Sequence, residues 1–355
     1  MLTPLPAPHD HGVAPPYARI ATEEAFMTAE IYQATRRVID DHGVDDPGFY
    51  ALQGHYLTST SDRARNIARR LQDLGEERLA DMDATGISFQ VLGLTAPGVQ
   101  VFDEATAVSL AASTNDQLAE ACRRHPDRFA GLATISPQSP SKAAAELSRA
   151  VTQLGLKGAM VNSHTKGEYL DDPKFWDIFE AAQSLGVPIY LHPVTPPANM
   201  IGPFLERGLE GAIFGFAIET SLHMLRLIVG GVFDRFPDLT IVVGHLGEGL
   251  PFWLYRLDDM HKAAILAKRY ETMQPLERPV SDYLKQNFHY TTSGMPWEPA
   301  ILYTRSVIGA DRVMYAMDYP YEYVPEEVEM SDAVALEPEE RRQFFQSIAE
   351  KVFAL

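Results

Sequence analysis

Cysteine is almost absent from this 355-residue sequence, in which Cys122 is the only one. A single cysteine can form neither a disulfide framework within the chain nor a thiolate metal site. Such sparing use of cysteine is typical of proteins from a reducing compartment, so we expect a cytoplasmic location. Cys122 lies in a helical pattern over residues 118–122, and we interpret it as a buried side chain rather than a nucleophile.

Basic residues are also few, because 30 Lys and Arg stand against 48 Asp and Glu and give a formal net charge of -18. Binding to a phosphate backbone depends on clustered Lys and Arg, so we expect no nucleic-acid partner. The same shortage of Lys and Arg disfavours binding to an anionic membrane surface. The sequence contains no run of eighteen apolar residues, and we therefore predict no transmembrane segment. A hydrophobic content of 46% still allows a large core.

The first sixteen residues differ from the rest of the chain. They are rich in proline and lack the basic-then-apolar order of a signal peptide. Beyond them we find no repeat, no low-complexity linker and no break in composition. We therefore expect a flexible leader over residues 1–16 and a single domain over residues 17–355.

Short apolar or β-branched runs alternate with amphipathic stretches along the chain, which predicts βα units and a parallel sheet. Eight runs are candidate strands: 19–22, 89–94, 129–135, 158–161, 188–191, 240–244, 288–292 and 313–317. Helical patterns cover 63–74, 105–125, 141–154, 174–185, 213–236 and 338–353. Eight strands close a (β/α)8 TIM barrel, here with an insertion at about 31–56 after the first strand. An open doubly wound sheet is the alternative, but no glycine-rich phosphate turn follows the first run.

Barrel enzymes carry their reacting groups at the carboxyl ends of the strands. Four of the predicted strands are followed by such groups: Glu23 and Glu24 after the first, His192 after the fifth, His245 and Glu248 after the sixth, and Asp318 after the eighth. Carboxylates with imidazoles suit a hard or borderline divalent cation such as Mn²⁺, Zn²⁺ or Mg²⁺. Any one of these residues could be structural, as a hydrogen-bonded histidine or a loop cap. Their coincidence at four strand ends favours a metal site.

Three other motifs are weaker. Residues 9–11, His-Asp-His, lie in the leader with no strand to hold them. Residues 81–86 begin like a calcium loop, but the fifth and twelfth positions lack the required oxygen ligands. Glu219 and His223 share a helix face, which a helix surface or a subunit contact explains as well as catalysis does.

The strand-end segments resemble those of the amidohydrolase-related decarboxylases of aromatic acids, and most narrowly the carboxyvanillate branch of that family. The matching segments are 20–26 (IATEEAF), 244–248 (GHLGE) and 317–320 (MDYP), supported by 80–86, 94–100, 212–216 and 253–258. The likeness runs from about residue 17 to the C-terminus. It implies one divalent metal ion, Mn²⁺ above all with Zn²⁺ or Mg²⁺ as alternatives, bound by Glu23, His192 and Asp318.

Two departures narrow the resemblance. Many relatives read Glu-x-His on the first strand, whereas this chain has Ala25. Alanine there is the pattern of the carboxyvanillate branch and of some dihydroxybenzoate decarboxylases, and it leaves a coordination position for water or substrate. Two-metal hydrolases of the superfamily often use a carbamylated lysine at the end of the fourth strand. Here Lys157 stands at the start of that strand, so a binuclear hydrolase is disfavoured.

The resemblance implies the non-oxidative decarboxylation of a phenolic aromatic acid, with 5-carboxyvanillate giving vanillate and CO2. The alternatives are decarboxylation of 2,6- or 2,3-dihydroxybenzoate, hydrolysis of a lactone or amide at a mononuclear site, and a catalytically silent binding barrel. In the implied mechanism Asp318 protonates the ring carbon, and His245, oriented by Glu248, tunes that proton. The expected substrate-binding residues are Arg63, Thr95, Arg256 and Tyr321. A homodimer or homotetramer is expected, in which Arg256 reaches either its own site or the neighbour's.

Overall fold

The computed structural model describes residues 15–355. Residues 1–14, which include most of the predicted leader and the His-Asp-His segment, lie outside the described part. In residues 15–355 no helix is both long enough and apolar enough to cross a membrane.

The strands form the wall of a parallel barrel. They are β1 (Ile20–Phe26), β2 (Phe89–Leu94), β3 (Phe129–Gly131), β4 (Ala133–Thr134), β5 (Ala159–Asn162), β6 (Ile189–His192), β7 (Ile241–Val243), β8 (Phe288–Thr291) and β9 (Val313–Met314). Pairing runs in the orders β1-β2-β3 and β4-β5-β6-β7-β8-β9, and every pair is parallel.

The third predicted strand is divided at Leu132. The Leu132 N–H donates to the Leu92 carbonyl (2.8 Å), while the Ala133 N–H donates to the Gly158 carbonyl (2.7 Å). One continuous segment therefore contacts β2 with its first half and β5 with its second. The nine strand segments therefore form a barrel of eight strands, with β3 and β4 as the two halves of one strand.

Hydrogen bonds between β1 and the segment after β9 close the ring. Thr22 Oγ1 donates to the Tyr315 carbonyl (2.7 Å), and the Ala25 N–H donates to the Tyr319 carbonyl (2.7 Å). The predicted (β/α)8 architecture is confirmed.

Helices surround the barrel and cover its two ends. They are α1 (Ala29–Asp40), α2 (Pro47–Phe49), α3 (His55–Thr58), α4 (Asp62–Leu71), α5 (Glu76–Thr85), α6 (Glu104–Arg124), α7 (Pro140–Thr152), α8 (Trp176–Leu185), α9 (Gly202–Leu205), α10 (Gly215–Val229), α11 (Val232–Arg235), α12 (Leu254–Leu266), α13 (Val280–Gln286), α14 (Glu298–Ile308), α15 (Pro325–Asp332), α16 (Pro338–Arg342) and α17 (Ile348–Phe353). The insertion after β1 contains α1, α2, a π-helical turn (Tyr50–Gly54) and α3.

Two predicted helices are interrupted in the structure. The prediction of one helix over 213–236 is wrong, because α10 ends before Gly230 and Gly231 adopts a left-handed conformation (φ 76°) that starts α11. A glycine accepts this conformation without a Cβ clash. The C-terminal pattern over 338–353 contains a π-helical turn (Gln343–Ser347) between α16 and α17.

Buried side chains from the strands and from α17 fill the barrel interior at the amino ends of the strands. One cluster of buried side chains contains Ile20, Val91, Leu132, Met160, Tyr190, Val242 and Met314 from the strands, and Ile348, Ala349 and Phe353 from α17. The C-terminal segment reaches the amino ends of the strands, since the Lys157 ammonium group donates to the Ala354 carbonyl (2.8 Å). Because this end of the barrel is sealed, a cavity can open only at the carboxyl ends of the strands.

Candidate active site at the carboxyl ends of the strands

Glu23 projects into the barrel because β1 is irregular. The register of β1 on β2 shifts between Ala21 and Glu24, so that three steps on β1 face two steps on β2. Regular alternation from the inward-facing Ile20 would turn Glu24 toward the interior. A bulge reverses this alternation, and bulges commonly re-aim a side chain beside an active site.

The two oxygens of the Glu23 carboxylate have different surroundings. Oε2 accepts hydrogen bonds from three hydroxyl groups, those of Tyr190, Thr291 (3.0 Å) and Ser293. Oε1 is buried and has no hydrogen-bond partner. An unpaired carboxylate oxygen is costly to bury, so Oε1 is a site at which a cation would be stabilised.

Two imidazole groups face this unpartnered oxygen. His192 Nε2 lies 3.4 Å from Glu23 Oε1, and His245 Nε2 lies 3.9 Å from it. His192 Nδ1 is 2.8 Å from the Pro193 carbonyl, which can only accept, so Nδ1 carries the proton and Nε2 keeps its lone pair. His245 Nδ1 pairs with Glu248 Oε1 at 2.7 Å, which fixes the orientation of that ring.

The loop after β7 allows Glu23 to lie against the backbone. A Cβ atom at Gly244 would stand 2.5 Å from Glu23 Oε2, so only glycine fits there. His245, Leu246 and Glu248 all have positive φ angles of 52°, 55° and 55°. This tight turn brings the His245 and Glu248 side chains back toward each other over three residues.

Asp318 lies in the segment that follows β9 and faces the same cavity as His192 and His245. It lines one cavity together with His192 and His245, and its backbone is left-handed (φ 66°). Glu24 faces away from this cavity and bonds to the backbone on both sides of Asp318.

The charges of the site are strongly coupled. Burial and the negative charge of Glu23 raise the pKa of Asp318 well above its usual range. Burial would lower the pKa of His245, but the Glu248 and Glu23 carboxylates outweigh it and raise that pKa to about 10. Burial would likewise raise the pKa of Glu23, but His245 and His192 reverse the effect and lower it. Among the protein groups alone, burial and charge therefore favour a protonated Asp318 beside an ionised Glu23.

His192 has the charge state that a metal ligand requires. Burial lowers its pKa, although the Glu23 carboxylate opposes this effect. A neutral imidazole is the form that binds metals.

The remaining cavity wall combines predicted and unpredicted residues. Thr95 and Tyr321, both predicted, line it and share a hydrogen bond of 2.7 Å between their hydroxyl groups. The residues that sequence reasoning missed are Leu52, Gln53 and Tyr56 of the insertion, together with Ala96, Pro193, Ala212, Phe216 and Glu322. The insertion follows a strand whose carboxyl end faces the site, and this position was a usable signal.

The two predicted arginines do not line this cavity within the chain. Arg63 on α4 is exposed, and its guanidinium group donates to the Tyr321 carbonyl (2.8 Å) at the rim. Arg256 on α12 is exposed and lies in a different groove, which also contains Trp253 and Tyr270.

Two donors at the strand ends have the spacing of ligands to one divalent cation. Ligands about 2.1 Å from a common ion lie about 3.0–3.4 Å apart, close to the separation of Glu23 Oε1 and His192 Nε2. Across residues 15–355, no group of three or more His, Cys, Asp and Glu side chains is already arranged to hold a metal ion. The structure therefore brings two of the predicted ligands to ligand spacing and places Asp318 in the cavity they face.

Comparison with known proteins identifies the family. Residues 17–355 match the family model described as amidohydrolase. The chain belongs to the amidohydrolase family. This amidohydrolase is 35% identical over 345 residues to a gamma-resorcylate decarboxylase of Rhizobium radiobacter, an alignment that covers 95% of this chain and 98% of the relative.

Solved structures of relatives superimpose closely on this amidohydrolase. A 5-carboxyvanillate decarboxylase from Novosphingobium aromaticivorans, complexed with manganese and 4-hydroxy-3-methoxy-5-nitrobenzoic acid, is 52% identical with a TM-score of 0.94, covering 96% of this chain and 97% of that one. A 2,6-dihydroxybenzoate decarboxylase from Rhizobium is 32% identical with a TM-score of 0.83, covering 95% and 99%. The predicted resemblance is confirmed, and the manganese bound to the 5-carboxyvanillate decarboxylase agrees with the predicted cofactor.

Proposed function

We propose that this amidohydrolase removes CO2 from a phenolic aromatic acid, with 5-carboxyvanillate as its substrate and vanillate as the product. One observation carries the proposal: the unpartnered Oε1 of Glu23 faces two imidazoles in a cavity that Asp318 also lines. The relative that is 52% identical binds a ring with a carboxylate, a phenol, a methoxy group and a nitro group, and the nitro group stands where the proposed substrate has its second carboxylate.

Glu23, His192 and Asp318 are the proposed metal ligands. The ion would supply positive charge that orients and neutralises the carboxylate and the neighbouring phenolate oxygen of the substrate. The three hydroxyl groups on Glu23 Oε2 keep its other oxygen turned to the cavity.

Asp318 is the proposed proton donor. It transfers its proton to the ring carbon that bears the carboxylate, because direct loss of CO2 would leave an unstable aryl carbanion. The bond between that carbon and the carboxylate then breaks, its electron pair restores the aromatic ring, and CO2 leaves. Asp318 is left ionised and regains a proton from solvent. The acid must be protonated near neutral pH; burial and the charge of Glu23 raise the pKa of Asp318 among the protein groups alone, and release of its carboxyl group from the ion would keep that effect.

His245 and Glu248 support the proton transfer. The Glu248 carboxylate fixes the His245 ring, whose other nitrogen faces Glu23. A charged His245 beside the cavity would stabilise the negative charge of the substrate phenolate. Thr95 and Tyr321, which line the same cavity, would contact the ring substituents.

We also propose that the protein is a homodimer or homotetramer in which Arg256 serves the neighbour's site. Around α12 the side chains of Phe252, Tyr255 and Leu266 are 75%, 81% and 74% exposed, an apolar surface that association would bury. Arg256 lies on the same surface, outside its own chain's cavity.

Mixing two damaged variants tests the shared site. Arg256→Ala and Asp318→Asn would be assayed alone and after mixing and exchange of subunits, with substrate below KM. A mixed dimer contains one site with both Asp318 and the neighbour's Arg256, so activity should return. No recovery, with exchange shown by mass photometry of tagged subunits, would assign Arg256 to its own site or to none.

The reaction itself is tested by reconstitution with Mn²⁺. The metal-stripped protein would be given Mn²⁺ and 5-carboxyvanillate, and vanillate and CO2 would be measured together. Stoichiometric formation of both products, abolished by a chelator, is the expected result. Activity only on 2,6- or 2,3-dihydroxybenzoate would keep the mechanism and change the substrate. Inactivity on all three acids with one metal bound per chain would refute the proposal and favour a mononuclear hydrolase.

A further inference from the structure

Glu24 is bonded to the backbone on both sides of Asp318, whereas its neighbour Glu23 is not. Its side chain is fully buried, and its two oxygens accept separate hydrogen bonds from the backbone N–H groups of Met317 (3.0 Å) and Tyr319 (3.1 Å). These two residues flank Asp318, whose φ of 66° is left-handed. This conformation costs a residue with a Cβ atom free energy, less for Asp than for most, and bonds on both sides of the residue stabilise it.

We propose that Glu24 is a positioning residue that holds the backbone of Asp318 in the left-handed conformation and so aims its carboxyl group into the cavity. The inference rests on the proposed role of Asp318 as ligand and proton donor. A carboxyl group suits this task because it presents two oxygens, which here bind the two N–H groups separately.

Further contacts hold both sides of this arrangement in place. The Ala25 N–H donates to the Tyr319 carbonyl (2.7 Å), which ties the residue after Glu24 to the residue after Asp318. The buried Arg78 guanidinium donates to the Ala25 carbonyl (2.6 Å) and lies 4.4 Å from the centre of the Tyr319 ring. The segment around Asp318 is therefore attached to β1 through side-chain and backbone bonds.

Glu24→Gln tests the arrangement with almost no change in shape. Glutamine offers one acceptor oxygen, and its amide group would oppose one of the two backbone N–H donors. The matched control is Glu327→Gln, since Glu327 is also buried and accepts hydrogen bonds from Tyr315 Oη (2.6 Å) and Ser331 Oγ (3.1 Å). It makes no hydrogen bond to the Asp318 segment and acts on Asp318 only through a minor effect of its charge.

For Glu24→Gln we expect kcat to fall about 10- to 100-fold while KM changes less than about threefold, because the reacting group is displaced and the substrate contacts remain. Glu327→Gln should keep kcat within about twofold of wild type, even where both variants lower Tm equally. If Glu24→Gln does not fold, Glu24→Asp keeps both oxygens but shortens their reach, and kcat should again fall. Wild-type kcat in a folded Glu24 variant would overturn the proposal.

A structural measurement separates this inference from the proposed reaction. A crystal structure of the Mn²⁺-loaded Glu24 variant should show Asp318 outside the left-handed region, with weaker Mn²⁺ binding. Asp318 unchanged near φ 66° would overturn the positioning role whatever the substrate is. If the wild-type protein decarboxylates none of the three acids, the proposed function fails, while the crystal structure and Mn²⁺ affinity still decide whether Glu24 positions Asp318.

Discussion

The hydroxyl group of Tyr190 tests how the barrel interior prepares Glu23 to bind a metal. Tyr190 is fully buried, and its hydroxyl contacts Glu23 Oε2 and Thr291 Oγ1 (2.9 Å). Tyr190→Phe removes this oxygen and leaves the ring in place. Glu23 then keeps two of its three hydroxyl donors, from Thr291 and Ser293.

The size of the effect follows from the kind of bond that is lost. A hydrogen bond to a charged group contributes about 1.5–3 kcal/mol. Losing a partner that orients a metal ligand commonly lowers metal affinity about 10- to 100-fold, which corresponds to about 1.4–2.8 kcal/mol. The two ranges agree, so we expect the Kd for Mn²⁺ to rise about 10- to 100-fold in Tyr190→Phe.

Tyr290→Phe is the matched control for this experiment. Tyr290 lies on β8, which β7 separates from the strand of Tyr190, is equally buried, and donates its hydroxyl to the Leu284 carbonyl (2.6 Å), away from Glu23. Titration calorimetry with metal-free protein should give a wild-type Kd for Tyr290→Phe, with a loss of about 1 kcal/mol in the free energy of unfolding. Equal Mn²⁺ affinities in the two variants, within twofold, would refute the role given to the hydroxyl groups around Glu23.

Three further predictions concern the other charged groups. Asp318→Asn should retain about one metal ion per chain by elemental analysis but lose at least about 10²- to 10⁴-fold in kcat, the usual contribution of a proton donor; substantial turnover would exclude that role. Arg256→Ala should raise KM about tenfold or more with little change in kcat, because a charged hydrogen bond to the substrate carboxylate is lost; an unchanged KM would remove Arg256 from the substrate site. Burial raises the pKa of Glu327 to about 7 from 4.5. Between these two pH values the folded state binds more protons than the unfolded state. The free energy of unfolding should therefore fall by up to about 3 kcal/mol as the pH rises from 4.5 to 7. Glu327→Gln should flatten this part of the stability curve in urea unfolding at pH 5 and pH 8, and an unaltered slope would contradict the assignment.

The strands could be predicted because both faces of a parallel barrel strand are buried, so each reads as a continuous apolar run. Polar residues directly after such runs then mark the functional end, which is how Glu23, His192 and Asp318 could be found together. Two of the three hydroxyl partners of Glu23 were also within reach of sequence reasoning. Tyr190 lies two residues before His192 and therefore shares its face of β6, and Ser293 directly follows the predicted strand over 288–292.

Non-local features could not be predicted in the same way. Simple alternation along β1 assigns the interior position to Glu24, and only the bulge found in the structure gives it to Glu23. The bonds from Glu24 to residues 317 and 319 join parts of the chain nearly three hundred residues apart, and no local pattern contains them. Arg63 and Arg256 were chosen because a guanidinium group pairs well with a carboxylate, and that chemistry does not fix which surface a flexible side chain occupies.

The alanine at position 25 links the ligand set to the proposed reaction. Residues two apart on a strand share a face, so a histidine there would stand beside Glu23 as a second ligand from β1. Alanine supplies no donor, and the proposed set becomes two carboxylates and one imidazole. Ligand sets rich in oxygen suit Mn²⁺, whereas sets with more imidazoles suit Zn²⁺. With the same ligands, Zn²⁺ generally binds more tightly than Mn²⁺. The smaller ligand set also leaves coordination positions for the substrate, and the proposed chelation by carboxylate and phenolate needs two of them. A site that binds Mn²⁺ less tightly by itself can therefore gain affinity from the substrate, so Mn²⁺ and the aromatic acid should each strengthen the binding of the other.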